Sequence, residues 1–135
     1  MKVLFVSGIA PIVADPPTGQ RLFSTDLGLH LTADPDYPST DELSGVKHFG
    51  VWSLTGAAQA CFGTDAWPTD RPRPQATVEF EVDDVDAAAA ELLAAGHDLI
   101  SPVKTEPWGQ RLARLQTADG LLIAVTHTPW MRGSP

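Results

Sequence analysis

A chain of 135 residues, 43% of them hydrophobic, is long enough for one compact domain with a core of its own. Seventeen acids against nine bases leave a net charge of −8, which argues against nucleic acid and anionic membrane as partners, because phosphate surfaces repel it. The one cysteine, Cys61, excludes an intrachain disulfide and fits a reducing, cytoplasmic setting, and no apolar run reaches the roughly 18–20 residues of a membrane span.

The opening "MKVLFVSGIAPIVAD" reads as a buried first strand over residues 2–14; Gly8 and Pro11 interrupt it too early for a signal peptide, and Pro11 marks an edge or a bulge. Pro16 and Pro17 introduce a short helix carrying Leu22, Phe23 and Leu27 that ends near Gly28. "LHLTAD" reads as a second strand, "PDYPSTDELSG" as a polar loop, and "VKHFGVWSL" (46–54) as a strand with Val46, His48, Gly50 and Trp52 on one face. "TGAAQACFGT" suits a short helix, and the proline-rich "DAWPTDRPRPQ" a linker.

The second half is more regular. A strand over 76–82, "ATVEFEV", leads to Asp83 and Asp84 as cap candidates. Val85, Ala88, Ala89, Leu92 and Leu93 then recur at helical spacing, and Gly96 stops the helix. "HDLIS", "QRLARLQ" and "LLIAVTH" read as three strands, the last two joined by the turn "TADG". An internal repeat emerges: Gly28 follows Asp15, and Gly96 follows Asp83, by the same thirteen residues, each pair being preceded by a strand.

That pattern, with "FEVDDVDAAAAELLAAGHDLISP" and the closing "PWGQRLARLQTADGLLIAVTH", resembles the vicinal oxygen chelate superfamily of glyoxalases, bleomycin-resistance proteins and extradiol dioxygenases. The resemblance implies an α+β fold of two paired βαβββ modules whose curved mixed sheets enclose a cavity, the first module being irregular. It divides one domain, 1–135, into module one (about 1–66), a linker (67–75), module two (about 76–130) and a short tail. It also implies a homodimer, and in the enzymes a divalent metal held by His, Glu or Gln side chains. The ligand positions it implies here are Gly8, Thr77 and Ala124, which lack the usual side-chain donors. The expectation is therefore no metal of the family type and no other cofactor.

The remaining chemistry rests on few residues. A non-standard metal site would recruit His48 with Glu79 or Glu81, but His30, His48, His97 and His127 lack the short spacing of a ligand pair and read more simply as surface or satisfied histidines. Cys61, among alanines, reads as a buried inert thiol. Glu79 and Glu81 share a strand face with Thr77; Glu79 is placed to see the cavity and is the candidate base, with Glu81 at the rim. Arg114 shares a face with Leu112, and an acid with a guanidinium inside one sheet is either a device for orienting a ligand or a structural ion pair. Of Trp52, Trp67, Trp108 and Trp130, the first and third are the preferred pocket walls. The sequence thus points to a metal-independent binder of a small, aromatic or antibiotic-like molecule, held by His48, Trp52, Glu79, Trp108, Leu112 and Arg114. The alternative is an enzyme of the superfamily, either a metal-dependent lyase or dioxygenase with non-standard ligands, or a metal-free isomerase using Glu79.

Overall fold

The structure, a computed structural model, describes residues 1–132. The long first strand β1 (Val3–Val13) is followed by α1 (Pro16–Arg21) and a single π-helical turn over Leu22–Asp26 that closes at Gly28, where φ is +74°. Three short strands come next, β2 (Ser39–Thr40), β3 (Phe49–Gly50) and β4 (Trp52–Ser53), then α2 (Leu54–Phe62). The second half runs β5 (Ala76–Val82), α3 (Val85–Ala94), β6 (Ser101–Thr105), β7 (Arg111–Gln116) and β8 (Leu122–His127), and ends in a 3-10 turn, Pro129–Met131.

These strands form one mixed sheet in the order β2-β3-β1-β5-β8-β7-β6, with β4 also beside β1. β1 and β5 pair antiparallel at its centre. Each is flanked by a strand that returns parallel to it: β8 beside β5, and the interrupted pair β3 and β4 beside β1. The fold is thus α+β with two paired βαβββ-type modules, the first irregular. Among the described residues no helix is long and apolar enough to cross a membrane.

Three expected strands are corrected. "LHLTAD" is irregular chain, which meets β2 through the Thr32 N–H donating to Ser39 O at 2.9 Å and the Ser39 N–H donating to Thr32 Oγ1 at 3.1 Å. The strand expected over 46–54 shrinks to the two-residue pieces β3 and β4, because only those residues meet β1. "HDLIS" shifts to Ser101–Thr105: Gly96 takes φ +94° and the His97 N–H still bonds back to Leu92 O, so residues 97–100 complete the helix exit. Pro102 is tolerated in β6 because that strand lies at the sheet's edge.

The two faces of the sheet bury different cores. Asp84 caps α3 by accepting from Ala87 N at 3.0 Å. Val85, Ala88 and Ala89 of that helix pack on Val82, Ala113 and Val125. On the opposite face, Ala57, Ala58 and Cys61 of α2 pack on Ile12 and Leu122 with Trp67, whose indole N–H reaches Pro72 O at 2.9 Å. The helix that replaces a strand of the first module therefore covers one end of this face.

The other end is closed by the chain's last described turn. Glu81 is fully buried and accepts from Thr128 N at 2.6 Å and from Arg132 Nε at 2.7 Å, while Arg132 also bonds Val82 O. The expectation that Glu81 lies at a cavity rim is thus corrected: it anchors the C-terminal segment from beneath. Removing one partner of a buried ion pair leaves the other charge uncompensated. Arg132→Ala is expected to lower stability by about 3 kcal/mol, read as a fall in the urea midpoint with the slope unchanged.

Candidate functional site

Strand register brings the site together. One row crosses the sheet through Gly8, Glu79, Ala124, Arg114 and Ser101, each paired with the next. Glu79 and Arg114 of this row line a cavity of about 460 Å³, with Trp130 and Met131 of the C-terminal turn on its wall. His48, Trp52, Glu79, Trp108 and Arg114, all expected from the sequence, line it. Leu112 does not, which corrects that expectation. It shares Arg114's face but lies in the next row, opposite Thr126 and in line with Glu81, where the C-terminal turn closes over; it is fully buried.

The structure adds Tyr37, Gln110, Thr128 and Trp130 to the lining. Tyr37 comes from the loop before β2, and its ring lies flat against Gly50, where a Cβ would sit 2.3 Å from the ring's Cζ. A glycine inside a strand marks such a close approach, and Gly50 was the one sequence signal for this residue. The Tyr37 hydroxyl is 2.7 Å from His48 Nε2, and His48 Nδ1 is 2.6 Å from Asp41 Oδ1. Burial, then the nearby Glu79 and Asp41 carboxylates, push the Tyr37 phenol far above its ordinary value of 10.0 and hold it protonated.

Glu79 accepts from Gln110 Nε2 at 3.0 Å, and Gln110 is oriented in turn by the Trp108 indole N–H, 2.9 Å from its Oε1. Arg114 is buried to 2% exposure and lies over the Trp52 ring, 5.5 Å from its centroid. Its Nη1 is 3.5 Å from Glu106 Oε1, outside hydrogen-bond geometry, and neither Nη1 nor Nε has a hydrogen-bond partner among the described groups. Glu79 and Arg114 are not paired with each other, because Ala124 lies between them in the row. Burial pushes the Cys61 thiol up against the opposing pull of Arg114 and Lys104, which keeps it a thiol within the α2 core.

Residues 11–125 match the family described as Glyoxalase/Bleomycin resistance protein/Dioxygenase superfamily. The chain belongs to that superfamily. Among solved structures, a superfamily member from Vibrio splendidus 12B01 is similar over 92% of this chain and 98% of its own, with 16% identity and a TM-score of 0.59. A methylmalonyl-CoA epimerase in complex with methylmalonyl-CoA and NH4+ is similar over 98% and 100%, with 15% identity and a TM-score of 0.60. A Streptomyces coelicolor methylmalonyl-CoA epimerase in complex with 2-nitronate-propionyl-CoA is similar over 99% and 100%, with 18% identity and a TM-score of 0.56. At these identities the likeness is one of fold. No curated protein matches the chain.

Of the expected metal positions, Gly8 and Ala124 lie in one row with Glu79 between them, while Thr77 lies one row away, opposite Ala10 and Leu122. Glu79 is a competent donor, but Gly8 and Ala124 offer none. Both nitrogens of His48 are held by Tyr37 and Asp41, and Glu81 is engaged elsewhere. Arg114 in the same row would repel a cation. Among the described residues no three His, Cys, Asp or Glu side chains come together as metal ligands. These residues do not fit a divalent metal of the superfamily's type.

Tyr37 is the chain's only tyrosine, so phenolate absorbance reads it alone. The folded protein keeps a proton that the unfolded chain releases near pH 10, so this group's contribution to stability is full below pH 10 and is lost as the pH rises beyond it. The expected result is no phenolate signal through pH 10 while the circular dichroism stays native; an ordinary reversible titration there would contradict the assigned environment.

Proposed function

We propose that the protein binds a small, planar organic acid in this cavity without a resident metal. The observation that carries this reading is Arg114, a buried guanidinium that lines a cavity walled by Trp52, Trp108 and Trp130 and whose acidic neighbour, Glu106, lies at 3.5 Å, outside hydrogen-bond geometry. A buried cation without a hydrogen-bonded counter-ion gains from a ligand acid that supplies one. An acidic chain suggests a cationic drug as ligand, but the guanidinium inside the cavity favours an acid. Antibiotic-like ligands fit this reading where they carry an acidic group. Assembly as a homodimer belongs to the same reading: Val3, Val6 and Ile9 of β1 leave apolar surface exposed that a second copy would cover.

A second reading has its own support, since Glu79 and Arg114 face one cavity without touching. In that reading Glu79 takes a proton from a carbon beside a carbonyl, the electron pair moves to the carbonyl oxygen, and Arg114 N–H groups hold the enolate. The proton returns from Glu79 to complete an isomerisation.

Thermal-shift screening with a chelator present, across organic acids, amines and neutral aromatics, tests the first reading. Acids should stabilise the protein, by about 2.7 kcal/mol at a hundred times Kd, and Arg114→Met should abolish the effect with the fold intact. Stabilisation by amines alone, or an unchanged response in Arg114→Met, contradicts it. The second reading requires, in addition, that a bound ligand exchange a carbon-bound proton for solvent deuterium with the wild type and not with Glu79→Gln.

A further inference from the structure

The two ends of the cavity floor differ in hydrogen-bonding sense. At one end Arg114 has donors only. At the other, Asp41 accepts from His48 Nδ1, so in the neutral imidazole the Nε2 atom has no proton and must accept from the Tyr37 hydroxyl. In that tautomer Tyr37's single proton is committed to His48, and only its oxygen lone pairs are available to a ligand. The phenol, held protonated by burial and by the adjacent carboxylates, does not become a charged acceptor.

Glu79 adds to the same sense. The Trp108 indole fixes Gln110 with its amide oxygen toward the indole, so the Gln110 amide N–H groups face Glu79 and Thr128. The carboxylate itself has only acceptor sites. Glu79 and Arg114 are separated by two strand spacings, about 9.6 Å at the backbone, with the small side chain of Ala124 between and aromatic walls around.

We infer that the site selects an aromatic acid carrying a hydroxyl or amino group at the end opposite its acidic group. This rests on the proposed reading of the cavity and narrows it. The acid meets Arg114, the ring lies among Trp52, Trp108 and Trp130, and the donor reaches Tyr37 Oη and Glu79. A dicarboxylate would set a second acceptor against Glu79, and a simple amine would bring no acceptor to Arg114.

Isothermal titration calorimetry in the presence of a chelator, with 4-hydroxybenzoate and 4-methoxybenzoate, isolates the donor, because the two probes share the acid and the ring. 4-Hydroxybenzoate is expected to bind about tenfold more tightly. Tyr37→Phe, which keeps the ring over Gly50, should reduce that preference to within about threefold by weakening 4-hydroxybenzoate alone. Equal affinities in the wild type, or an undiminished preference in a folded Tyr37→Phe protein, would overturn the inference. So would failure of both probes to bind while other organic acids stabilise the protein, an outcome that leaves the broader reading standing. If no organic acid stabilises it at all, both fall.

Discussion

Glu79 and Arg114 are held two strands apart, on one face and in one row, with an alanine between them. Every other feature of the site follows from that spacing. A carboxylate and a guanidinium on adjacent strands would meet and neutralise each other, as cross-strand pairs do. Separated by Ala124, each turns to a different partner, Gln110 for Glu79 and Glu106 for Arg114, and both side chains still line the cavity. On the proposed reading, the register of β5, β8 and β7 would do what a bound cation does in metal-dependent sites, which is to fix where a polar ligand places its charge.

The spacing is useful only because both ends of the face are closed. At one end α2 occupies ground that a regular module would give to a strand, and its alanines and Cys61 pack on Ile12 and Leu122. At the other, Glu81 holds the backbone of Thr128 and the guanidinium of Arg132, which brings Trp130 and Met131 round to the cavity. Glu79 and Glu81 are thus two acids on one strand face with different work. The first faces the cavity; the second fastens the segment that helps enclose it.

The second half of the fold was legible in the sequence because its signals are local: Asp84 caps, Gly96 stops, and the strands alternate on either side of a turn. The irregular first half was harder to read. "LHLTAD" has the composition of a strand, but strand formation needs a continuous neighbouring edge, and β2 meets it at Thr32 without forming a ladder. Around the site, alternation told which residues share a face and nothing about which row the returning chain covers. Leu112 and Glu81 were misplaced for that one reason. Tyr37 was missed because its contacts with Gly50 and His48 join a loop to residues eleven or more positions away, and Asp41's hold on His48 could be seen only once that loop had folded back.

The central claim is that charge separation by register, and not a metal, organises this cavity. Elemental analysis by mass spectrometry of the protein, purified without added metal or chelator, tests it most directly. The account predicts transition metals well below one equivalent per chain. Stoichiometric, tightly held zinc, nickel, manganese or iron would contradict it.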